Sequence, residues 1–270
     1  MESIRQAIDL ARGEGGSSAR RGSFSGTPAG LGLTAFEAEI GGVRLNSAHL
    51  EATRIVAHDS SSPHGRYFDM LRTQVLQEFD KSSFQFLAVT SPTAGCGKTV
   101  TACNLALSIA RLPERSVLLV DLDLQKPKVS EYLGLNSSQG VLSVLEGRAA
   151  LPEALVRALI GRTNMLVLPG EVCQSGSSEW MASQTMSSLF QAIRTEFRSR
   201  IVIFDLPPIL VGDDVLSVLP QMDATLFVAA VGSTSVAQIK ECKKHLNGTP
   251  VVRIVVNKAT EPTESYYAYY

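Results

Sequence analysis

The sequence predicts an α/β domain: a mostly parallel sheet with helices on both faces, preceded by a flexible N-terminal arm. Three observations predict it. Short apolar runs at 86–89, 117–120, 165–168, 201–204, 225–231 and 253–256 are rich in Val, Ile, Leu and Phe and show no polar alternation. Strands of that kind are buried on both faces, as in a parallel sheet flanked by helices. Between them lie segments with apolar residues at helical spacing, so strand and helix alternate along the chain. A glycine-containing loop, SPTAGCGKT, joins the first run to its helix.

Length and charge bound the function. At 270 residues and 44% hydrophobic content the chain can bury one large core and a small appendage. Lys and Arg number 25 against 26 Asp and Glu, for a net charge of −1. No basic field therefore draws the chain to nucleic acid or anionic lipid. No run approaches the ~18 apolar residues of a membrane helix, so direct membrane insertion is not expected. The opening MESIRQAIDLAR lacks the apolar centre of a secretion signal, and a cytoplasmic chain is expected. Cys96, Cys103, Cys173 and Cys242 have no paired spacing and read as free thiols.

The elements follow in order. Ile4, Ile8 and Ala11 share a helical face, which predicts a short helix over 3–12. Residues 13–32 are rich in Gly, Ser and Arg and read as a linker. Residues 43–58 carry apolar positions without clear period and read as a strand or packed extended arm. Residues 1–59 are thus expected to precede a domain over 60–259. Ser60–Gly65 reads as a turn, and Leu71, Val75 and Phe79 predict a helix over 67–79. Leu105, Ile109 and Leu112 set the helix that Lys98-Thr99 opens. Further helices are expected over 141–145, 151–159, 187–197 and 236–246, with Pro127 and Gly134 as punctuation.

The order strand, glycine loop, Lys-Thr, helix is that of a phosphate-binding loop, which makes the domain P-loop NTPase-like. The expected cofactor-binding residues are Thr93, Ala94, Gly95, Cys96, Gly97, Lys98, Thr99 and Val100, whose N–H groups would form an anion cradle. Lys98 adds a mobile charge for the β/γ-phosphates of ATP, and the Thr99 hydroxyl is placed for Mg2+. Pro92 stands where the pattern G-x-x-x-x-G-K-[ST] has its first glycine. Lys98 is expected to serve phosphate and catalysis rather than the fold.

Asp121, Asp123 and Asp205 each follow an apolar run. Ligands in such sheets sit at the carboxyl ends of strands, so the three acids should gather beside the cradle. A carboxylate there holds Mg2+ or takes a proton from an attacking hydroxyl. One such acid alone would as readily cap a turn.

The C-terminus is the second signal. Tyr266, Tyr267, Tyr269 and Tyr270 follow a polar lead-in, ATEPTES, which predicts a mobile tyrosine-rich tail over 260–270. Aromatics on such an end are not explained by packing, and the phenols read as phosphorylation sites.

Together SPTAGCGKTVTACNLA, LLVDLDLQKP, IVIFDLPPIL and the terminal YYAYY resemble the bacterial tyrosine kinases (BY-kinases) of capsule and exopolysaccharide synthesis. The first three match their Walker A, Walker A′ and Walker B segments, and the likeness covers about residues 55–270. The resemblance implies ATP- and Mg2+-dependent autophosphorylation of the tail in trans, and hence self-association. It also implies activation by a membrane-embedded polysaccharide chain-length regulator on a separate polypeptide, which would hold this chain at the inner face of the cell membrane. By resemblance Lys98 and Thr99 match the phosphate lysine and the Mg2+ hydroxyl, and Asp205 matches the Walker B acid. Asp121 and Asp123 match the Walker A′ acids. The weighted assignment makes Asp121 the base for the tyrosine hydroxyl, with Asp123 and Asp205 serving the metal; the reverse split of the A′ acids stays open. Asn257 matches a position that contacts the adenine ring.

Three positions depart from the family pattern. Gln125 stands where relatives often carry arginine, and Cys96 where the loop is commonly acidic. The ring-forming pattern E-x-x-R-x-x-R stands here as Arg66-x-x-Asp69-x-x-Arg72. The nearest rival reading is a partition or division-site ATPase, which shares the deviant loop and the acids. Such an ATPase carries a lysine five residues before the loop lysine, where this chain has Thr93, and has no use for terminal tyrosines. A non-catalytic ATP-sensing module of a polysaccharide assembly complex is the third reading.

Overall fold

The computed structural model describes residues 40–246 and 248–259. The helix expected at 3–12, the linker at 13–32 and Tyr266, Tyr267, Tyr269 and Tyr270 lie outside the described residues. In chain order the elements are β1 (Gly42–Arg44), α1 (Ser47–Ala52), α2 (Gly65–Ser82), β2 (Phe86–Thr90), α3 (Lys98–Ala110) and β3 (Val117–Asp121). Then come α4 (Val129–Leu133), α5 (Val141–Leu145), α6 (Leu151–Ala154), β4 (Val156–Ile160), β5 (Thr163–Leu168), α7 (Ser177–Met181) and α8 (Gln184–Glu196). Last are β6 (Ile201–Asp205), α9 (Asp214–Val218), β7 (Ala224–Ala230), α10 (Val236–His245) and β8 (Val251–Asn257).

The strands form one 8-stranded sheet in the order β1-β4-β5-β3-β6-β2-β7-β8. Every neighbouring pair is parallel except β4–β5. The central strands β2, β3, β6 and β7 are buried at every position, which is why their sequences lack polar alternation. One face packs α8 on the sheet, where Phe86, Phe190 and Phe204 meet with ring centroids 4.9 to 6.2 Å apart. The other face carries α3, whose residues are buried around most of the helix because α2 lies over it.

Two expectations are corrected. The helix expected over 151–159 ends at Ala154, and Val156–Ile160 is instead a strand antiparallel to β5. Leu151, Leu155 and Leu159 have the spacing of one helical face, but Gly161, with φ +55°, allows a tight hairpin and the pairing with β5 prevails. The extended alternative for 43–58 also gives way. Gly42–Arg44 pairs in parallel with β4, and Asn46 caps α1 by accepting the His49 N–H at 3.2 Å. Leu50, Ile55 and Ala57 are fully buried in the α3-side core, so this stretch is part of the folded body.

Asn104, on α3 and fully buried, holds that stretch in place. Its Oδ1 accepts the N–H groups of Val56 and Ala57 at 2.8 and 2.9 Å, and its Nδ2 donates to Arg54 O at 3.0 Å and Val100 O at 2.8 Å. Asn104→Ala leaves buried backbone groups unpaired on the 54–57 turn. It should cost about 2–4 kcal/mol in urea-induced unfolding.

Candidate active site

The loop after β2 is shaped by its neighbours. Thr90 donates its hydroxyl to Pro207 O at 2.8 Å, Ile209 N–H donates to Ser91 O at 2.9 Å, and Leu210 N–H to Pro92 O at 3.1 Å. Pro92 fits there because its carbonyl, rather than an N–H, makes the contact. Gly95 and Gly97 take φ of +80° and +95°, and a Cβ at 97 would lie 2.1 Å from Asn257 Nδ2. That amide donates to Cys96 O at 2.9 Å and ties the loop to the end of β8. The first N–H groups of α3 have no intrahelical acceptor, so the helix opens on an anion cradle.

Lys98 Nζ lies 2.9 Å from Asp123 Oδ2 and 3.4 Å from Asp205 Oδ1. Thr99 donates its hydroxyl to Asp205 Oδ2 at 2.6 Å. Parallel pairing of β3 and β6 sets Asp121 directly opposite Asp205, so the strand register itself gathers the acids. Asp121 is fully buried and spends both oxygens on backbone. Oδ1 accepts the Asp123 N–H at 3.1 Å, and Oδ2 accepts the N–H groups of Lys128 and Val129, each at 3.0 Å. It anchors the segment that carries Asp123.

Burial works against a charge on Lys98, but the Asp205 and Asp123 carboxylates outweigh it and hold its pKa above the ordinary lysine value. Burial, then repulsion from Asp205, pushes the Asp121 carboxyl up to about 8. Burial likewise raises Asp205, against the opposing pull of Lys98 and Thr99. The cluster holds more carboxyl than its one lysine can neutralise.

A cavity of about 430 Å³ opens over the cradle. Of the expected site residues, Ala94, Gly95, Gly97, Lys98, Thr99, Val100, Asp123 and Asn257 line it. Asp205 reaches it through Lys98 and Thr99, while Thr93, Cys96 and Asp121 are not among its lining residues. The Cys96 thiol is buried 3.7 Å from Thr93 Oγ1 and 3.6 Å from Thr234 Oγ1. Burial pushes that thiol up, but the bonds to Thr234 and Thr93 prevail and leave its pKa below the ordinary thiol value. The lining also includes Lys126, inside the Walker A′ segment, and Lys258, next to Asn257, together with Arg54, Lys128, Tyr132 and Asp214, which lie outside the quoted motifs.

The arrangement suits phosphates and a hard divalent cation. The cradle offers N–H donors, Gly97 leaves no room for a side chain, and Thr99, Asp123 and Asp205 present oxygen donors around Lys98. Among the described residues no group of three or more His, Cys, Asp or Glu stands ready to hold a metal unaided. A cation that keeps only one or two carboxylates and completes its shell with substrate phosphates needs no such group.

The model of the CobQ/CobB/MinD/ParA nucleotide binding domain matches residues 87–269. The chain belongs to that family. It is 28% identical over 200 residues to the putative tyrosine-protein kinase EpsB of Ralstonia nicotianae, covering 74% of this chain and 26% of EpsB. It is 25% identical over 206 residues to the tyrosine-protein kinase CpsD of Streptococcus agalactiae, covering 75% of this chain and 87% of CpsD. The chain thus spans about a quarter of EpsB and most of CpsD. In fold it is similar to the kinase domain of the Escherichia coli tyrosine kinase ETK, with a TM-score of 0.62 at 23% identity, over 71% of this chain and 75% of that one.

The geometry overturns the expectation that Lys98 is idle in the fold. Lys98→Met strands two buried carboxylates and should cost about 2–4 kcal/mol in the nucleotide-free protein. Asp121 and Asp205 have folded pKa values above the ordinary 3.8, so the folded chain holds protons that the unfolded chain releases. Loss of Lys98 raises those values further. The deficit is therefore full at alkaline pH and shrinks on acidification, so the gap in thermal midpoint should be wider at about pH 8 than at about pH 6.

Proposed function

We propose that the chain is an ATP- and Mg2+-dependent protein-tyrosine autokinase that phosphorylates Tyr266, Tyr267, Tyr269 and Tyr270 of a neighbouring copy and so regulates exopolysaccharide or capsule synthesis and export. The observation that carries this reading is a complete loop-and-acid cluster on a chain with four tyrosines in its last five residues. Similarity to proteins named tyrosine-protein kinases supports it.

Bound MgATP supplies the transferable phosphoryl group and the charge that offsets its oxygens. The loop N–H groups and Lys98 would hold the phosphates, while Thr99 and Asp205 would hold the cation. A phenol with a pKa of ~10 needs a base to attack at neutral pH. We assign that role to Asp123, which lines the cavity, rather than to Asp121, whose oxygens already accept three backbone N–H groups. As the tyrosine oxygen forms its bond to the γ-phosphorus and the bond from that phosphorus to the ADP oxygen breaks, an Asp123 Oδ would take the phenolic proton. Asp121 is then a positioning residue that keeps Asp123 facing Lys98. Asn257 serves by fastening the loop at Cys96 O.

The partner in this reading is a membrane-embedded chain-length regulator on another chain. No helix among the described residues is long and apolar enough to cross a membrane. A partition-type ATPase is the second reading, because the family model includes MinD and ParA. Thr93 in place of that class's extra lysine weighs against it.

Incubation with ATP and Mg2+ should place phosphotyrosine on the tail, and chelation of the cation should abolish it. Asp123→Asn should lower the transfer rate about 100-fold or more with little change in ATP affinity. Addition of the regulator's cytoplasmic segment should raise the rate several-fold. ATP hydrolysis without any phosphotyrosine would favour the partition-type reading.

A further inference from the structure

Three non-glycine residues among those described adopt left-handed φ: Arg54 at +65°, Ser83 at +54° and Lys258 at +60°. Ser83 follows the last turn of α2, where this conformation is an ordinary helix ending. The other two are both basic, and both line the cavity over the cradle. Glycine occupies this backbone region without steric cost, whereas a long side chain does so only when its surroundings impose it. Arg54 likewise ends a helix: it follows the C-cap of α1, its N–H donates to Glu51 O at 3.0 Å and the Ile55 N–H to Leu50 O at 2.7 Å. Asn104 braces the turn through Arg54 O and the N–H groups of Val56 and Ala57. That ending sets a basic side chain at the rim of the cavity.

Arg54 has company on its side of the cavity. Thr53 donates its hydroxyl to Tyr132 O at 2.8 Å, which joins the Arg54 turn to α4. Lys126 and Lys128 lie on the segment between β3 and α4, the segment that also carries Asp123. Lys128 pairs with Glu131, but no ion pair involves Arg54 or Lys126 among the described residues. Both are exposed. Lys258 stands at the other end, after β8, beside Asn257 and Gly97. The cations nearest the Asp123 segment therefore flank the approach of whatever group the acids act upon, beyond the loop that takes the phosphates.

We propose that Arg54, Lys126 and Lys128 form an acceptor subsite that selects tyrosines preceded by carboxylates. The proposal rests on the kinase reading above and names the chemistry of its acceptor. The chain carries such a segment itself: Glu261 and Glu264 stand five and two residues ahead of Tyr266. Carboxylates held by the rim leave the phenol free to reach Asp123, and the opposite charges speed encounter.

The test uses the full chain with its four tail tyrosines changed to Phe and with Glu261→Gln and Glu264→Gln, so that its own tail does not compete. Two labelled peptides are compared, ATEPTESYYAYY and its Gln counterpart ATQPTQSYYAYY, by phosphotransfer and by fluorescence anisotropy. The acidic peptide should bind more tightly, and added salt should erase the difference. Arg54→Gly and Lys126→Gln should each raise KM for the acidic peptide about three- to fivefold. They should leave kcat and the KM for ATP within about twofold. Glycine suits the left-handed position at that helix end, so the thermal midpoint of Arg54→Gly should not fall, and Arg54→Glu should prefer a peptide with Lys in place of Glu. Equal KM for the two peptides, or a rise in KM for ATP alone, overturns the subsite while the kinase reading stands. Arg54-dependent binding without transfer to either peptide keeps the subsite and removes the kinase reading. Absence of both transfer and binding removes both.

Discussion

One lysine among three buried carboxylates is the interaction on which the site depends. Lys98 stands at the first position of α3, with Asp123 and Asp205 as its direct partners and Asp121 behind them. Repulsion among the acids favours separation, and the sheet prevents it, because β3 and β6 pair with Asp121 opposite Asp205. Burial of the apolar residues that precede each Asp on β3 and β6 therefore holds together charges that would otherwise part. The unneutralised remainder is what a phosphate-bound divalent cation would relieve, so affinity for ligand and repulsion within the cluster have the same origin.

The helix α3 transmits this arrangement outward. Its first turn carries Lys98 and Thr99, and its second carries Asn104, whose amide braces the turn at 54–57. On the other side, Asn257 fixes the loop from the end of β8. Both ends of the cavity are thus tied to the same loop and helix, and both ties are side-chain amides bonded to backbone. Such bonds set position more than they add stability, since each replaces a bond to water.

The positions that depart from the family pattern have local partners. Gln125 donates to Asp214 Oδ2 at 2.6 Å and to Ser177 Oγ at 3.2 Å, joining the Asp123 segment to α7 and α9. Burial pushes Asp214 up, and these neutral partners oppose it only in part. Asp69 accepts from Ser108 at 2.6 Å, Arg72 at 3.0 Å and Arg111 at 3.1 Å, which fastens α2 to α3. In this chain Asp69 and Arg72 serve an internal contact between helices.

Much of the fold and half of the site were legible in the chain alone. The strand–loop–helix order, the central strands and the acids that follow them are encoded in contiguous residues, so periodicity and turn chemistry reveal them. Val156–Ile160 misled because the leucine spacing of 151–159 suits a helix, and only pairing with β5 across Gly161 decides for a strand. Asp121 and Asp123 look alike in sequence. The structure tells them apart, because Lys128 and Val129 turn their N–H groups onto Asp121 while Asp123 lines the cavity. Arg54 carried no motif at all. Its turn is a local helix ending, but the amide that braces that turn beside the cavity lies 50 residues away, and a contact of that range leaves no trace in local pattern. Local chemistry determined the elements and the charges; long-range pairing decided which of those charges face the cavity.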